Sequence, residues 1–220
     1  MKNIKAIIFD AYGTLFDVNS AAESCKNRIG DKWEAFANYW RMTQLEYTWL
    51  RSLMKRHKDF WKITEESLDK SMKVFDINPD MKKDLLELYK VLSLYPEAKE
   101  VLENLKKRNF KISILSNGTP ALLNELIRSN DLNDFFDDLF SIEAVKIYKP
   151  DSKVYELPVK KYGIKPDQIT FLSSNTWDVS GGGNYGYNAI WVNRNNTIFD
   201  NLDYQPNKEI NNLTQLLDII

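Results

Sequence analysis

The sequence predicts an α/β protein built on a doubly wound parallel sheet, with a helical insert placed just after the first strand. Three observations predict it. Short apolar runs alternate with segments of helical periodicity, which implies parallel strands separated by helices. The long stretch from Asn19 to Leu94 keeps helical spacing and lacks a clear buried strand. Polar residues follow the apolar runs, so Asp10, Ser116-Asn117 and Ser173-Ser174-Asn175 would share the carboxyl edge of one sheet.

Ala6, Ile7, Ile8 and Phe9 form an apolar run too short for an independent helix, and it reads as a buried parallel strand. Asp10 follows directly, then Gly13, which can take the positive φ of a tight turn. In the insert, Trp33, Phe36, Trp40, Leu45, Trp49, Leu50, Leu53 and Met54 recur at helical spacings. Phe60, Ile63, Leu68, Met72 and Phe75 predict a second helix. After the break at Asn78-Pro79-Asp80, Leu85, Leu88 and Leu92 predict a third. Pro96 marks the return to the α/β core. Val101, Leu102 and Leu105 predict a helix, Lys111 to Leu115 a strand, Leu122 to Leu126 a helix and Leu139 to Ser141 a short strand. Lys149-Pro150 opens a helix carrying Tyr155. Ile169 to Leu172 and Ala189 to Val192 are the last expected strands, and Leu213, Leu216 and Leu217 predict a terminal helix. The expected domains are a core of residues 1–17 and 95–220 and an insert of residues 18–94.

Bulk composition narrows the function classes. The 220 residues are 43 % apolar and 28 % charged, ordinary for a soluble globular chain. A net charge of −1 gives no support for a nucleic-acid or anionic-membrane partner. No apolar run approaches the ~20 residues of a membrane span. No charged-then-apolar leader precedes the first strand, so a cytoplasmic location is expected. Cys25 stands alone, which excludes an internal disulfide and is expected to pack as a small apolar residue. His57, the one histidine, sits in the basic run Lys55 to Lys58 and is expected at a solvated helix end. A single histidine also rules out a histidine-based triad or a multi-histidine metal site. Acid–base chemistry therefore falls to carboxylates, lysine or tyrosine.

Each polar cluster has a plain alternative. Asp10 could be a turn aspartate, Ser116-Asn117 a turn, Lys149 a surface lysine, and Asp178 a helix cap. Those alternatives do not explain why all four meet at one edge of the sheet. A carboxylate there can act as a nucleophile.

The run FDAYGTLFDV resembles the first motif of the haloacid dehalogenase superfamily, an aspartate followed by x-x-G-T-L/V. Ser116, Lys149 and Asp178 match its three later motifs in order. The resemblance spans nearly the whole chain and implies a Rossmann-like core with the insert as a mobile cap. The stretches WRMTQLEYTWLRSLM, LSNG, YKPDSKVYEL and SSNTWD make the chain most similar to the L-2-haloacid dehalogenases.

Most members of the superfamily are magnesium-dependent phosphatases with a second aspartate two positions after the first. Here that position is Tyr12. A phosphatase must protonate its alkoxide leaving group, and a tyrosine of reference pKa ~10 is a poor donor at neutral pH. Halide needs no proton, only a cradle for developing charge. Arg41 shares a helix face with Gln44, Leu45 and Thr48 and can supply that cradle, although surface ion pairing is the usual fate of helical arginines. Asn175 and Asp178 fill the last motif, so only Asp10 and Asp178 are anionic there. No metal and no cofactor are expected.

The resemblance implies a small 2-haloacid substrate, attacked at C2 by Asp10 with inversion to give an ester. Ser116, Asn117 and the backbone at Ala11 would bind the substrate carboxylate, and Arg41 with Asn117 would receive the halide. Asp178, oriented with Lys149, Ser173 and Asn175, would activate water for ester hydrolysis. Thr14 and Tyr155 would hold Asp10 and Lys149. Tyr12, Leu45, Phe60 and Trp177 would wall the alkyl group, although Trp177 fits ordinary core packing equally. A homodimer is also implied. Gly181-Gly182-Gly183 departs from relatives and is expected to loosen the helix that carries Asp178. The competing readings are a magnesium-dependent phosphatase of the same superfamily and a catalytically silent binding protein with this fold.

Overall fold

The computed structural model describes residues 3–220. Among these, six strands form one parallel sheet in the order β3-β2-β1-β4-β5-β6. They are β1 (Ala6–Phe9), β2 (Lys111–Ser116), β3 (Asp138–Ser141), β4 (Ile169–Ser173), β5 (Asn188–Val192) and β6 (Lys208–Ile210). Every residue of β1 is buried, which is what an apolar run between two parallel neighbours requires. Phe9 lies opposite Ile114 of β2 and Leu172 of β4. The chain winds outward from β1 to β3, crosses back, and winds outward again from β4. The reversal between β1 and β4 is the crevice where such sheets bind ligands.

The insert is all helical. It contains α1 (Ser20–Ser24), α2 (Lys26–Ile29), α3 (Trp33–Leu53), α4 (Phe60–Val74) and α5 (Lys82–Lys90). Asp59 caps α4 by accepting from the Lys62 amide. The Trp40 indole donates to the Thr64 carbonyl at 3.1 Å and ties α3 to α4. The two passages between insert and sheet run side by side. Asp17 N donates to Ser93 O at 2.8 Å and Tyr95 N to Leu15 O at 2.9 Å. Helices α6 (Ala98–Lys107), α7 (Pro120–Ser129), α8 (Ser152–Tyr162) and α9 (Thr176–Tyr185) cover the sheet.

The expected fold class is therefore the observed one, with local differences. Strand β6 had no sequence signal, because two of its three residues are exposed and it pairs on one side only. The terminal segment Leu213–Asp218 is a 3-10 helix rather than an α-helix. Helix α8 starts at Ser152, since Asp151 caps it by accepting from Lys153 N, two residues later than Lys149-Pro150 suggests. Leu92 is buried but lies beyond the end of α5. Leu50, Leu53 and Met54 are exposed, so the apolar pattern of α3 overruns the part that packs.

His57 is not at a solvated helix end. It lies in the loop between α3 and α4, half-buried against Tyr148, with Nε2 3.2 Å from Glu143 Oε2. The basic run folds back onto the sheet domain, where an acid partner waits. Cys25 is buried as expected. Among the described residues no helix is long and apolar enough to cross a membrane.

Candidate active site

Asp10 is the first residue past β1. Its backbone N–H still donates to Leu172 O at 2.8 Å, so its position is set by the sheet. The chain then turns sharply. Gly13 takes φ +90°, which L side chains rarely adopt, and its N–H closes onto Phe16 O at 2.7 Å. That turn brings Thr14 back, and its hydroxyl donates to Asp10 Oδ2 at 3.1 Å.

The other strands deliver the remaining groups to the same edge. Lys149 Nζ lies 3.1 Å from Asp10 Oδ1 and 2.8 Å from Asp178 Oδ2. Asn175 Nδ2 donates to Asp10 Oδ2 at 2.9 Å, and the Ser173 hydroxyl stands 3.5 Å from the same oxygen. The Tyr155 hydroxyl donates to Asp178 Oδ1 at 2.7 Å. Three expected partnerships thus differ in detail. Tyr155 holds Asp178 rather than Lys149, and Asn175 and Ser173 reach Asp10 rather than Asp178. The reason is that β4 adjoins β1, so residues at its end face the β1 aspartate, whereas Asp178 lies one turn into α9.

The electrostatics follow from burial. Lys149 is 1 % exposed and Asp178 0 %. Burial alone would discharge the lysine, but the carboxylates of Asp10 and Asp178 overcome it and hold the ammonium above its ordinary pKa. Asp178 is pushed up to about 6, first by burial and then by Asp10, with Lys149 pulling the other way. Tyr155 is raised well above its usual value by burial and by the adjoining Asp178, so it remains a proton donor to that carboxylate. One cation between two carboxylates leaves this buried cluster one negative charge in excess.

Arg41, on α3, lies near this edge of the sheet and lines the cleft beside Tyr12. Its guanidinium donates to Gln44 Oε1 at 2.9 Å and reaches the Tyr12 carbonyl at 3.4 Å. Tyr12 itself is buried, tilted against Phe60 with ring centroids 5.1 Å apart and stacked on Tyr89 at 5.8 Å. Burial pushes its hydroxyl well above the ordinary tyrosine value, and that oxygen has no hydrogen-bond partner among the described residues.

Ser116 ends β2 fully buried, with Oγ accepting from Gly118 N at 3.0 Å. Asn117 Oδ1 accepts the Lys149 backbone N–H at 3.1 Å, which leaves its Nδ2 end as a donor. Ala11 and Phe60 are fully buried and Leu45 nearly so. Trp177 is half-buried and meets the edge of Trp49 at 5.4 Å. A cleft of about 430 Å³ touches Tyr12, Arg41, Leu45, Asn175 and Trp177. A second of about 930 Å³ shares Leu45 and Trp177 and runs past Tyr148 and Lys149. Both lie between insert and sheet. The described residues contain no group of three or more His, Cys, Asp or Glu side chains able to hold a metal ion.

The three glycines sit against close neighbours. A Cβ on Gly181 would come 2.5 Å from the Tyr155 hydroxyl, and one on Gly182 would come 2.8 Å from the Phe171 ring. Gly181 and Gly182 allow close approach of α9 to α8 and the sheet, a packing reason for glycine that the sequence did not show. Three residues that sequence reasoning did not place in the site also adjoin it. Gln44 holds Arg41, and Thr64 and Tyr89 hold Gln44. The spacing of Gln44 from Arg41 was visible, whereas Thr64 and Tyr89 reach the site only through tertiary packing.

Fold and site together define a hydrolase with an α/β core and a helical cap. The chain belongs to the haloacid dehalogenase-like hydrolase family, whose sequence profile matches residues 4–186. It is 38 % identical over 218 residues to an (S)-2-haloacid dehalogenase of Pseudomonas fluorescens, covering 98 % of this chain and 96 % of that one. It is 41 % identical over 198 residues to (S)-2-haloacid dehalogenase 1 of Pseudomonas sp. (strain CBS-3), covering 89 % and 87 %. Among solved structures, L-2-haloacid dehalogenase from Xanthobacter autotrophicus with chloropropionic acid covalently bound superimposes with a TM-score of 0.89. That pair is 32 % identical, with 98 % of each chain covered.

Proposed function

We propose that this chain hydrolyses short L-2-haloalkanoic acids to D-2-hydroxyalkanoic acids through an ester on Asp10, without a metal. The observation that carries the reading is Tyr12. At the position where a phosphatase of this superfamily keeps a carboxylic acid, a buried phenol stands whose hydroxyl burial makes a still poorer proton donor than an ordinary tyrosine. Halide leaves without a proton. The names of the relatives support the same choice.

In the first step an Asp10 carboxylate oxygen attacks C2 from the side opposite the halogen. The C–O bond forms as the carbon–halogen bond breaks, and the electron pair leaves with the halide. Arg41 stabilises the departing anion, aided by Asn117. Ser116 and the backbone at Ala11 and Asn117 hold the substrate carboxylate. Tyr12, Leu45, Phe60 and Trp177 exclude water from the alkyl group. Thr14, Ser173 and Asn175 fix Asp10 for an in-line approach.

In the second step water attacks the carbonyl carbon of the Asp10 ester. Asp178 takes the proton from that water, held in place by Tyr155 and Lys149. As the adduct collapses, the bond between the Asp10 carbonyl carbon and the substrate oxygen breaks, and Asp178 returns its proton to that departing oxygen. The hydroxyacid leaves, and the regenerated Asp10 carboxyl loses its proton to solvent. Lys149 already places its ammonium between the two carboxylates that a dication would require, which is why the reading needs no magnesium. The division into a core, 1–17 and 95–220, and a cap, 18–94, belongs to the same reading, supported by the paired passages at Asp17 and Ser93.

The test is halide release from L-2-chloropropionate in excess chelator. Chloride release with formation of D-lactate is expected. Phosphate release that depends on magnesium, without halide release, overturns the reading.

A further inference from the structure

Arg41 carries a charge that no protein carboxylate neutralises. Among the described residues it enters no ion pair, and its partners are neutral: Gln44 Oε1 at 2.9 Å, the Tyr12 carbonyl at 3.4 Å and the Tyr89 hydroxyl. A partly buried arginine facing a developing anion needs this. A carboxylate acceptor would hold the guanidinium as firmly but would cancel the field that the departing halide feels.

The orientation of the Gln44 amide is dictated by proton directions around it. The Thr64 hydroxyl donates to the Phe60 carbonyl at 2.7 Å, within α4. Its proton is therefore committed, and toward Gln44 it can only accept. It accepts from Gln44 Nε2 at 2.7 Å. With Nε2 turned to Thr64, Oε1 must face the other way, toward Arg41. Tyr89 lies across the same amide, 3.0 Å from Nε2 and 3.2 Å from Oε1, and stacks on Tyr12. Gln44, Thr64 and Tyr89 are all at most 3 % exposed, so water does not compete for these bonds.

We propose that Gln44 is a positioning residue for halide release, an amide locked by Thr64 and Tyr89 that holds Arg41 in place while leaving its charge unneutralised. The proposal rests on the function proposed above and adds a requirement to it. The acceptor on Arg41 must be neutral as well as present. Glutamate keeps the shape but puts an oxygen against Thr64 Oγ1 where Nε2 donates, so it should cost stability under either role. The requirement for a neutral acceptor adds loss of the halide site in protein that is still folded.

The test compares the parent protein with Gln44→Glu and Gln44→Met on L-2-chloropropionate, with sodium bromide as a separate probe. Bromide inhibition of turnover and bromide quenching of tryptophan fluorescence both read the halide site, the second without chemistry. For Gln44→Glu we expect kcat to fall about 100-fold, the scale of losing one preorganised charge-stabilising donor. KM should change far less, and bromide should no longer bind. Gln44→Met removes the anchor without adding charge, so its kcat and bromide affinity should fall between the two. A purely structural role would lower the melting temperature of both variants and leave bromide inhibition of the folded fraction intact, which overturns the proposal. Should Gln44→Glu fail to fold, Gln44→Met decides alone, and parental bromide affinity in it overturns the proposal too. A parent that releases halide and binds bromide isolates any failure to Gln44. A parent that does neither removes the proposed function, and this inference with it.

Discussion

The ammonium of Lys149 stands 2.8 Å from Oδ2 of Asp178, with both side chains sealed from solvent. A buried ion pair is weak evidence for stability, since desolvating two charges offsets most of their attraction. Its value here is chemical. Lys149 keeps its proton across the neutral range, and Asp178 is held near the pH at which a carboxylate can exchange one.

That relationship sets a pH dependence. Burial lifts Asp178 to about 6, so below that pH it is protonated and cannot accept a proton from water. Asp10 is one of the charges that lift Asp178, and esterification removes that charge, so ester hydrolysis should fall on the acid side with an inflection below about 6 and be level above it. Lys149 is shifted upward and adds no competing loss in that range. Single-turnover rates of ester hydrolysis between about pH 4 and 8 check this. A profile still flat at about pH 4 would remove Asp178 as the base.

The ester route makes a distinct claim about oxygen. If Asp10 attacks C2, the product hydroxyl oxygen comes from Asp10, and water oxygen enters the protein. In a single turnover in heavy-oxygen water, label should appear in the peptide holding Asp10 and not in the product. Over many turnovers it should pass into product. Direct attack of water on C2 gives the reverse, and an unlabelled Asp10 after turnover would falsify covalent catalysis.

Arg41→Ala should lower halide release by about 100-fold or more, as for loss of a preorganised electrostatic group. The fold should survive, because alanine suits a helix interior and Arg41 is only partly buried. Circular dichroism and chloride release on the same sample check both halves. Parental turnover in a folded Arg41→Ala protein takes Arg41 out of the site.

Gly181→Ala separates flexibility from packing. On helix propensity alone the change should stabilise α9 by about 1 kcal/mol. The added Cβ, however, would meet the Tyr155 hydroxyl at 2.5 Å and Pro150 Cβ at 2.7 Å. Overpacking of this kind costs about 1–3 kcal/mol, so we expect a lower melting temperature. Activity should fall with it, since Tyr155 is displaced from Asp178. A raised melting temperature would show that the glycines are a loose joint after all.

Asp10 and Ser116 were readable in one dimension because each ends an apolar run, and Lys149 and Asp178 because their motifs follow in order. In a parallel sheet every such run ends at the same edge. The fold class followed from the same alternation, and the insert from the length of helical pattern without a strand. Side-chain period and strand direction are local properties, so the sequence alone determined them.

Which groups touch was decided only in three dimensions. The β1–β4 adjacency turns Asn175 and Ser173 toward Asp10, and the first turn of α9 leaves Asp178 to Tyr155 and Lys149. Strand β6 forms because an exposed segment finds an open sheet edge, which no periodicity announces. His57 meets Glu143, and Gln44 meets Thr64 and Tyr89, across separations of 86, 20 and 45 residues. The close packing at Gly181 is likewise invisible until Tyr155 arrives from another helix. A residue type and its spacing set what a side chain can do. The partner that fixes its proton, its charge and its direction comes from distant chain, and only packing brings that partner within 3 Å.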